Sequence, residues 1–304
     1  MSASLADEVK TDSPSIRIYG RSDPEFPGLR QVYNGALPHQ PVAIARPRTE
    51  SDVSTIVRFC SRRDIPLTAR SGGHDFFGRS LTDGIVLDMR SMDSVVVSSD
   101  RKTARVGGGA IGGDVQEKLD KQSAFTPTGQ TKSVGYISWA CGGGYGFYAG
   151  SYGLGVDQIV NARVVLSNGE VVDADDDPEL LWALRGAGAA TFGVVVELRV
   201  KVYPIPKLYA GFLAFPLADA EAVLKGYDRL RSEEGIPGDC SGDCLVANPH
   251  MLGVDASGPC YAFYFCYAAK DGDLSPGKTY LDKLVKLGNA VGNTIKESEF
   301  LASH

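Results

Sequence analysis

Arg70-Ser71-Gly72-Gly73-His74 places a histidine behind two glycines, directly after the apolar residues 65–69. Of the four histidines in the chain, only this one has such a setting. Glycines allow the backbone to approach a ligand without a Cβ in the way, and successive amides in a turn form a concavity suited to phosphate. A histidine there can face whatever the turn holds, although position alone serves equally well for an imidazole packed beside a turn. Two other patterns carry less. Gly107-x-Gly109-x-x-Gly112 has the form of a dinucleotide fingerprint. The acidic residue that should follow about 20 positions later is replaced by Phe125-Thr126-Pro127-Thr128-Gly129, so a tight strand-to-helix turn is the better reading. Cys240 and Cys244, with His250, Cys260 and Cys266 behind them, do not have the spacing of a strong zinc pattern, and ordinary thiols are expected.

Three further glycine-rich blocks follow in order. They are Val134-Gly135-Tyr136-Ile137-Ser138-Trp139-Ala140-Cys141-Gly142-Gly143-Gly144-Tyr145-Gly146, then Tyr152-Gly153-Leu154-Gly155-Val156-Asp157, then Trp182-Ala183-Leu184-Arg185-Gly186-Ala187-Gly188-Ala189-Ala190-Thr191-Phe192-Gly193-Val194. Together with the His74 loop they resemble the FAD-linked oxidases with a PCMH-type flavin domain, in the berberine bridge enzyme-like branch of the vanillyl-alcohol oxidase family. The resemblance runs from about Tyr33 to Pro204 and is weak beyond. It implies FAD as cofactor, an 8α-histidyl bond at His74, and a pyrophosphate cradle from Arg70, Ser71, Gly72 and Gly73. It also implies flavin contacts at Gly129, Gly135, Ser138, Gly142, Gly143, Gly144, Gly146, Asp157, Gly193 and Val194. The implied activity is oxidation of a small organic alcohol, sugar or amine by hydride transfer to flavin N5, with molecular oxygen as acceptor, in specialised metabolism. A flavoprotein that binds FAD without redox turnover, either truncated before its catalytic base or using the flavin as scaffold for a non-redox cyclisation, is the alternative.

The chain departs from the family pattern at two places. Relatives often carry Gly-x-Cys ahead of the Val-Gly segment as a second flavin link; here the block reads Gly129-Gln130-Thr131, which leaves a single link, and Cys141 reads as a packed thiol. Where relatives often have Gly-Gly-His, this chain has Ile137-Ser138-Trp139, so the Ser138 hydroxyl or the Trp139 indole N–H is the available donor, and neither carries charge. Gly129 falls at the position that leaves room for oxygen in relatives. Family members are longer, and their C-terminal segment returns to the flavin; with the chain stopping at His304, a partial substrate domain is expected and the catalytic base is left unnamed.

The elements that must position these residues read as an α+β fold, with a PCMH-type FAD-binding domain over residues 31–204 and a partial substrate domain over 205–304. Residues 1–30, with Pro14, Pro24 and Pro27, read as a polar arm, with order from about Val32. Thr49-x-x-Asp52 opens a helix whose Val53, Ile56, Val57 and Cys60 share one face. Strands are expected at 85–88, 94–97, 103–106 and 194–202, a hairpin turning at Asn168-Gly169, and a helix from Asp177-Pro178 to Gly186. After Pro204-Ile205-Pro206 the pattern gives strands at 208–215, 244–247 and 260–268 and helices at 219–231 and 276–291, suiting an antiparallel sheet with flanking helices. In the 260–268 strand, alternation puts Tyr261, Phe263, Phe265 and Tyr267 on one face and Cys260, Ala262, Tyr264 and Cys266 on the other. Core is the ordinary fate of such a stripe. The family's second-domain sheet lies over the flavin, which makes Tyr264 and Tyr267 the substrate candidates.

Across 304 residues, 43% are hydrophobic and 22% charged, with a formal net charge of −6, so there is no basic field for nucleic acid. No apolar run is long enough to cross a bilayer, and the first residues lack an apolar leader core. An intracellular protein is the direct reading, though many relatives are secreted and localisation stays open. The partners expected are a small-molecule substrate and oxygen, without nucleic acid or membrane.

Overall fold

The computed structural model describes residues 5–188 and 191–298. They fall into two compact units, one drawn from Met1–Tyr145 and Leu154–Tyr203, the other from Gly146–Gly153 and Pro204–His304.

The first unit holds two sheets. One contains β1 (Arg17–Gly20), β2 (Ala43–Arg46), β3 (Leu67–Arg70) and β4 (Ile85–Asp88) in the order β1-β2-β4-β3, with β2 and β3 both parallel to β4. Parallel neighbours need a long crossover, and the helix Glu50–Arg62 supplies it between β2 and β3. It starts where the sequence predicts: Thr49 accepts from the Asp52 amide, the Asp52 carboxylate accepts from the Thr49 amide, and Val53, Ile56, Val57 and Cys60 are buried. The other sheet contains β5 (Val95–Val97), β6 (Thr103–Gly107), β7 (Ile159–Val165), β8 (Val171–Asp173) and β9 (Val194–Lys201) in the order β5-β6-β9-β7-β8, antiparallel throughout. Val165 and Val196 from this sheet share a core with Ile56, Phe59, Ile85 and Leu87, so the two sheets are packed through the crossover helix. Arg163 on β7 grips Glu50 at the helix start with bonds of 3.0 and 2.9 Å.

The expectation of a loose N-terminal arm is corrected. Leu5–Asp12 is a helix, β1 pairs antiparallel with β2, and Ala6, Val9, Ile16, Ile18 and Phe26 are buried. Polar average composition hid them because they are spaced one or two per turn rather than in a run.

The second unit is an antiparallel sheet of β10 (Lys207–Pro216), β11 (Cys240–Ala247), β12 (Cys260–Ala269), β13 (Gly292–Asn293) and β14 (Lys296–Ser298) in the order β11-β12-β10-β13, with β14 also on β10. Every residue of β12 is buried, and its two faces fall into separate cores split as the alternation requires. The last helix, Ser275–Val285, is shorter than the sequence pattern suggests. Beyond it the chain turns back, and residues 292–293 and 296–298 pair with β10. β11 begins at Cys240 rather than 244, because polar Ser241 and Asp243 are paired to β12 through the backbone regardless of side chain. All six cysteines are unpaired, and the described residues contain no His, Cys, Asp or Glu group able to hold a metal ion. No helix among them is long and apolar enough to cross a membrane. The fold is α+β.

Candidate flavin site

The His74 loop leaves the C-terminal end of β3 and packs against residues 133–135. Gly72 has to be glycine there: an added Cβ would collide with the Ser133 carbonyl oxygen and lie 2.6 Å from the Gly135 nitrogen. Gly135 in turn abuts the Ser71 hydroxyl. Gly73 takes φ +70° and its carbonyl accepts from the Tyr33 amide at 3.0 Å. The amides of Gly72, Gly73 and His74 donate to no group among the described residues. Successive unpaired amides around a left-handed glycine are the form of an anion nest, so the cradle offers backbone hydrogen bonds, not side-chain charge.

His74 sits on that cradle, partly exposed. Its Nε2 is 2.8 Å from the Ser133 hydroxyl oxygen, and its ring stacks on Tyr33 at 4.6 Å between centroids and 25° between planes. Burial holds the imidazole below its ordinary pKa, favouring the neutral ring. Arg70 differs from expectation. Its side chain is buried and turned away, donating to the Leu29 carbonyl at 2.5 Å and lying 3.4 Å from Asp88, so it can border the cradle only through its backbone.

The next block forms the helix Tyr136–Cys141, with Gly135 before it and Gly142 after it. Ser138 is exposed, its hydroxyl only 3.4 Å from the Gly135 carbonyl. The Trp139 indole N–H is already committed, donating to the Tyr145 carbonyl at 2.8 Å, and cannot be the donor that replaces the family's histidine. The indole also fills the space beside Gly129: an added Cβ there would be 3.0 Å from Nε1, and one at Gly155 would be 2.8 Å from Cζ3. The Trp139 indole is therefore the group that a side chain at Gly129 would meet first. Both glycines exist to admit an indole.

Gly144 approaches the Gly155 backbone closely, and the Asp157 carboxylate accepts from the Leu154 amide at 2.8 Å, capping the short helix Gly155–Gln158. Asp157 is thus engaged with its own turn. Gly143 has open space where a Cβ would be, and Gly146 belongs to the second unit. The third block reaches the second through Cys141, whose carbonyl accepts from both Gly186 and Gly188 at 3.0 Å. Burial pushes the Cys141 thiol up to about 12, an inert group as expected. Gly193, packed on the Val165 carbonyl, precedes β9, which Val194 opens. Ala189, Ala190 and residues 301–304 lie outside the described residues.

Within the second unit, Tyr264 stacks on Phe147 at 4.1 Å and meets Phe212 edge-on at 4.8 Å. Tyr267 lies on the opposite face, against Gly277, where any Cβ would be 2.8 Å from its own Cβ. A single face of β12 cannot present both, so they cannot jointly line one substrate wall. Sequence reading missed Ser133, Tyr33 and Asp88; a serine directly before a Val-Gly segment and a tyrosine 41 positions ahead of His74 carry no motif signal.

Residues 41–175 match the family of FAD binding domains. The chain carries an FAD-binding domain of that family. This flavoprotein is 39% identical over 290 residues to FAD-linked oxidoreductase aurO of Gibberella zeae, a match covering 95% of the chain and 56% of the relative. It is 39% identical over 197 residues to (R)-6-hydroxynicotine oxidase of Paenarthrobacter nicotinovorans, covering 64% of the chain and 43% of that enzyme. The crystal structure of 6-hydroxy-D-nicotine oxidase from Arthrobacter nicotinovorans superposes with a TM-score of 0.82 at 30% identity, over 94% of this chain and 62% of that one. The flavoprotein thus spans about half the length of the curated relatives it matches. FAD is its cofactor, and the amide nest and the glycine wall at Gly72 and Gly135 fit a pyrophosphate that must approach backbone closely.

Proposed function

We propose that this flavoprotein is an FAD-dependent oxidoreductase that carries its flavin on a single bond to His74 and oxidises a small organic alcohol, sugar or amine with oxygen as acceptor. The observation that carries the reading is a neutral, partly exposed imidazole seated directly on a nest of unpaired amides. Bound FAD would supply hydride acceptance at N5, with a histidyl bond at the 8α carbon drawing electrons from the ring. The chain's own part is to hold the pyrophosphate on the amides of Gly72, Gly73 and His74, to fix the imidazole between Tyr33 and Ser133, and to leave residue 131 as threonine without a thiol for a second bond. An amine or sugar substrate is favoured by relatives named for 6-hydroxynicotine and xylooligosaccharide oxidation. The test is flavin absorbance of the purified protein before and after acid precipitation. Yellow colour that stays with the precipitate in the native protein and leaves it in His74→Ala supports the reading; colour fully released from the native protein overturns the covalent bond.

A second reading, FAD binding with slow or no turnover with oxygen, is favoured by one observation: the indole of Trp139 occupying the space beside Gly129.

A further inference from the structure

We infer that a cavity in the first unit, whose lining includes no residue of the amide cradle, is a binding site for a small organic ammonium ion, with the Glu197 carboxylate as its receiving group. The inference is independent of how the flavin is attached.

The cavity holds about 230 Å³ and opens where the start of the crossover helix, the turn after β4 and the β7–β9 pair meet; Arg48, Glu50, Asp93, Arg163, Val196 and Glu197 are among its lining residues. Strand geometry alone would not bring the last two together. Successive residues of a strand face opposite ways, so Val196 and Glu197 should be divided between the two sides of the sheet. The register of β7 on β9 slips at this point: Arg163 opposes Glu197 and Val164 opposes Val195, which leaves Val196 as an extra residue. Val195 and Leu198 accordingly lie in one core and Val196 in the other. The bulge thus turns Glu197 to the same wall as Val196.

Glu197 is half-buried there and makes no hydrogen bond or salt bridge with any described residue. The nearby cations are engaged elsewhere. Arg163 gives two N–H groups to Glu50 at 3.0 and 2.9 Å, and Lys118 holds Asp93 at 2.6 Å. Arg48 is exposed to solvent. With Glu197 ionised, the carboxylates of Glu50, Asp93 and Glu197 outnumber the guanidiniums of Arg48 and Arg163 in the lining, so the cavity favours a cation over an anion. Burial pushes the Glu197 carboxyl above its ordinary range; Arg105 on β6 and Arg163 on β7 oppose this, while Glu50 on the helix and Asp173 on β8 add to it. A desolvated carboxylate without a donor is unfavourable, and an ammonium group supplies both the charge and the N–H groups that it lacks. Val196 offers an apolar wall for a short carbon chain, and the volume admits nothing larger than a small metabolite.

The experiment is a calorimetric titration of the full-length, flavin-loaded protein with n-butylammonium chloride at neutral pH, with n-butanol and sodium butyrate as the uncharged and anionic matches. Native protein should bind butylammonium with a Kd of about 1 mM, the order reached by so small a ligand, and neither match. Glu197→Gln keeps the shape and removes the charge; it should weaken binding about tenfold or more with flavin content unchanged. Arg48→Gln removes an exposed repelling cation and should tighten binding about threefold. Because the folded-state pKa of Glu197 is raised, butylammonium binding to native protein should fade as pH drops through that raised value, and Glu197→Gln should lose this dependence. Equal binding of all three probes, or butylammonium binding undiminished in Glu197→Gln, would overturn the site. Native protein that takes up no butylammonium well above that Kd would overturn it as well.

Discussion

Arg70 and Asp88 end two neighbouring parallel strands directly opposite each other, their charged groups 3.4 Å apart and both side chains sealed from solvent. Arg90 closes the same carboxylate with bonds of 2.7 and 2.6 Å, and Arg46 approaches it at 3.5 Å. One buried carboxylate therefore ties the end of β3, from which the His74 loop departs, to β2, β4 and the turn after β4. The cradle is placed by this cluster. Its arginines are spent on structure, leaving the ligand to the amides.

Asp88→Asn should accordingly destabilise the first unit by roughly 3–5 kcal/mol, because it leaves buried guanidinium charge uncompensated. Burial acts to raise the Asp88 carboxyl, but the Arg90 hydrogen bonds and the charges of Arg70, Arg90 and Arg46 outweigh it and hold the group below its ordinary value. A depressed folded-state pKa means the stabilisation is complete above the ordinary carboxylate range and is lost as pH falls through the folded value. Denaturant melts of both proteins from pH 7 downward should converge at the acid end. A constant gap between them at all pH values would contradict the cluster's role.

Gly72→Ala should abolish flavin retention with a smaller effect on stability. The added methyl would collide with the Ser133 carbonyl and force the two loops apart, opening the nest and moving His74 from Ser133 together. Flavin content per mole of purified protein is the measurement, with circular dichroism to verify folding. A fully loaded variant would mean the two loops separate without consequence for the cofactor.

Much of this was legible in the chain and some was not, for identifiable reasons. Short-range signals survived intact: the Thr49–Asp52 capping box, the Asp177 cap, whose side chain accepts from the Leu180 amide, and the Asn168-Gly169 turn with Gly169 at φ +79°. The alternation of β12 was equally clear, since a period of two fixes faces without knowledge of neighbours. What failed depended on partners distant in sequence. Arg70 looked like a phosphate ligand because its neighbours do; only the pairing of β3 with β4 shows that Asp88 claims it. Trp139 looked like a free donor because Tyr145 offers a backbone carbonyl, and a carbonyl is invisible to residue type. Ser133 meets His74 across 59 positions.

Tyr264 and Tyr267 should behave differently, since they stand on opposite faces of β12. Tyr264 is held by Phe147 and Phe212, and Tyr264→Ala should cost about 3–5 kcal/mol, as large-to-small changes of buried aromatics do. Tyr267→Ala should cost a similar amount through the gap left against Gly277. The hydroxyls separate them: if one face serves a substrate, only one of Tyr264→Phe and Tyr267→Phe should change the KM of a substrate that reduces the flavin. Equal changes in both would mean that neither hydroxyl touches substrate and that the effect travels through the sheet.

Trp139 governs the remaining question, how the reduced flavin meets oxygen. The indole is wedged between Gly129 and Gly155 and tethered through its N–H to the Tyr145 carbonyl. If oxygen approaches past Gly129, as the resemblance implies, an indole beside it should slow reoxidation, and a smaller side chain should relieve it. Trp139→Ala, with its flavin chemically reduced and then mixed with aerated buffer, should reoxidise about tenfold faster than native protein, equivalent to a barrier lower by about 1.4 kcal/mol. Gly129→Ala should go the other way for stability without speeding reoxidation, because its methyl would press on the indole at 3.0 Å and open nothing. Stopped-flow absorbance of the flavin reads both. Equal reoxidation rates in native protein and Trp139→Ala would place the oxygen path elsewhere, and the indole would then matter only as packing for the two glycines.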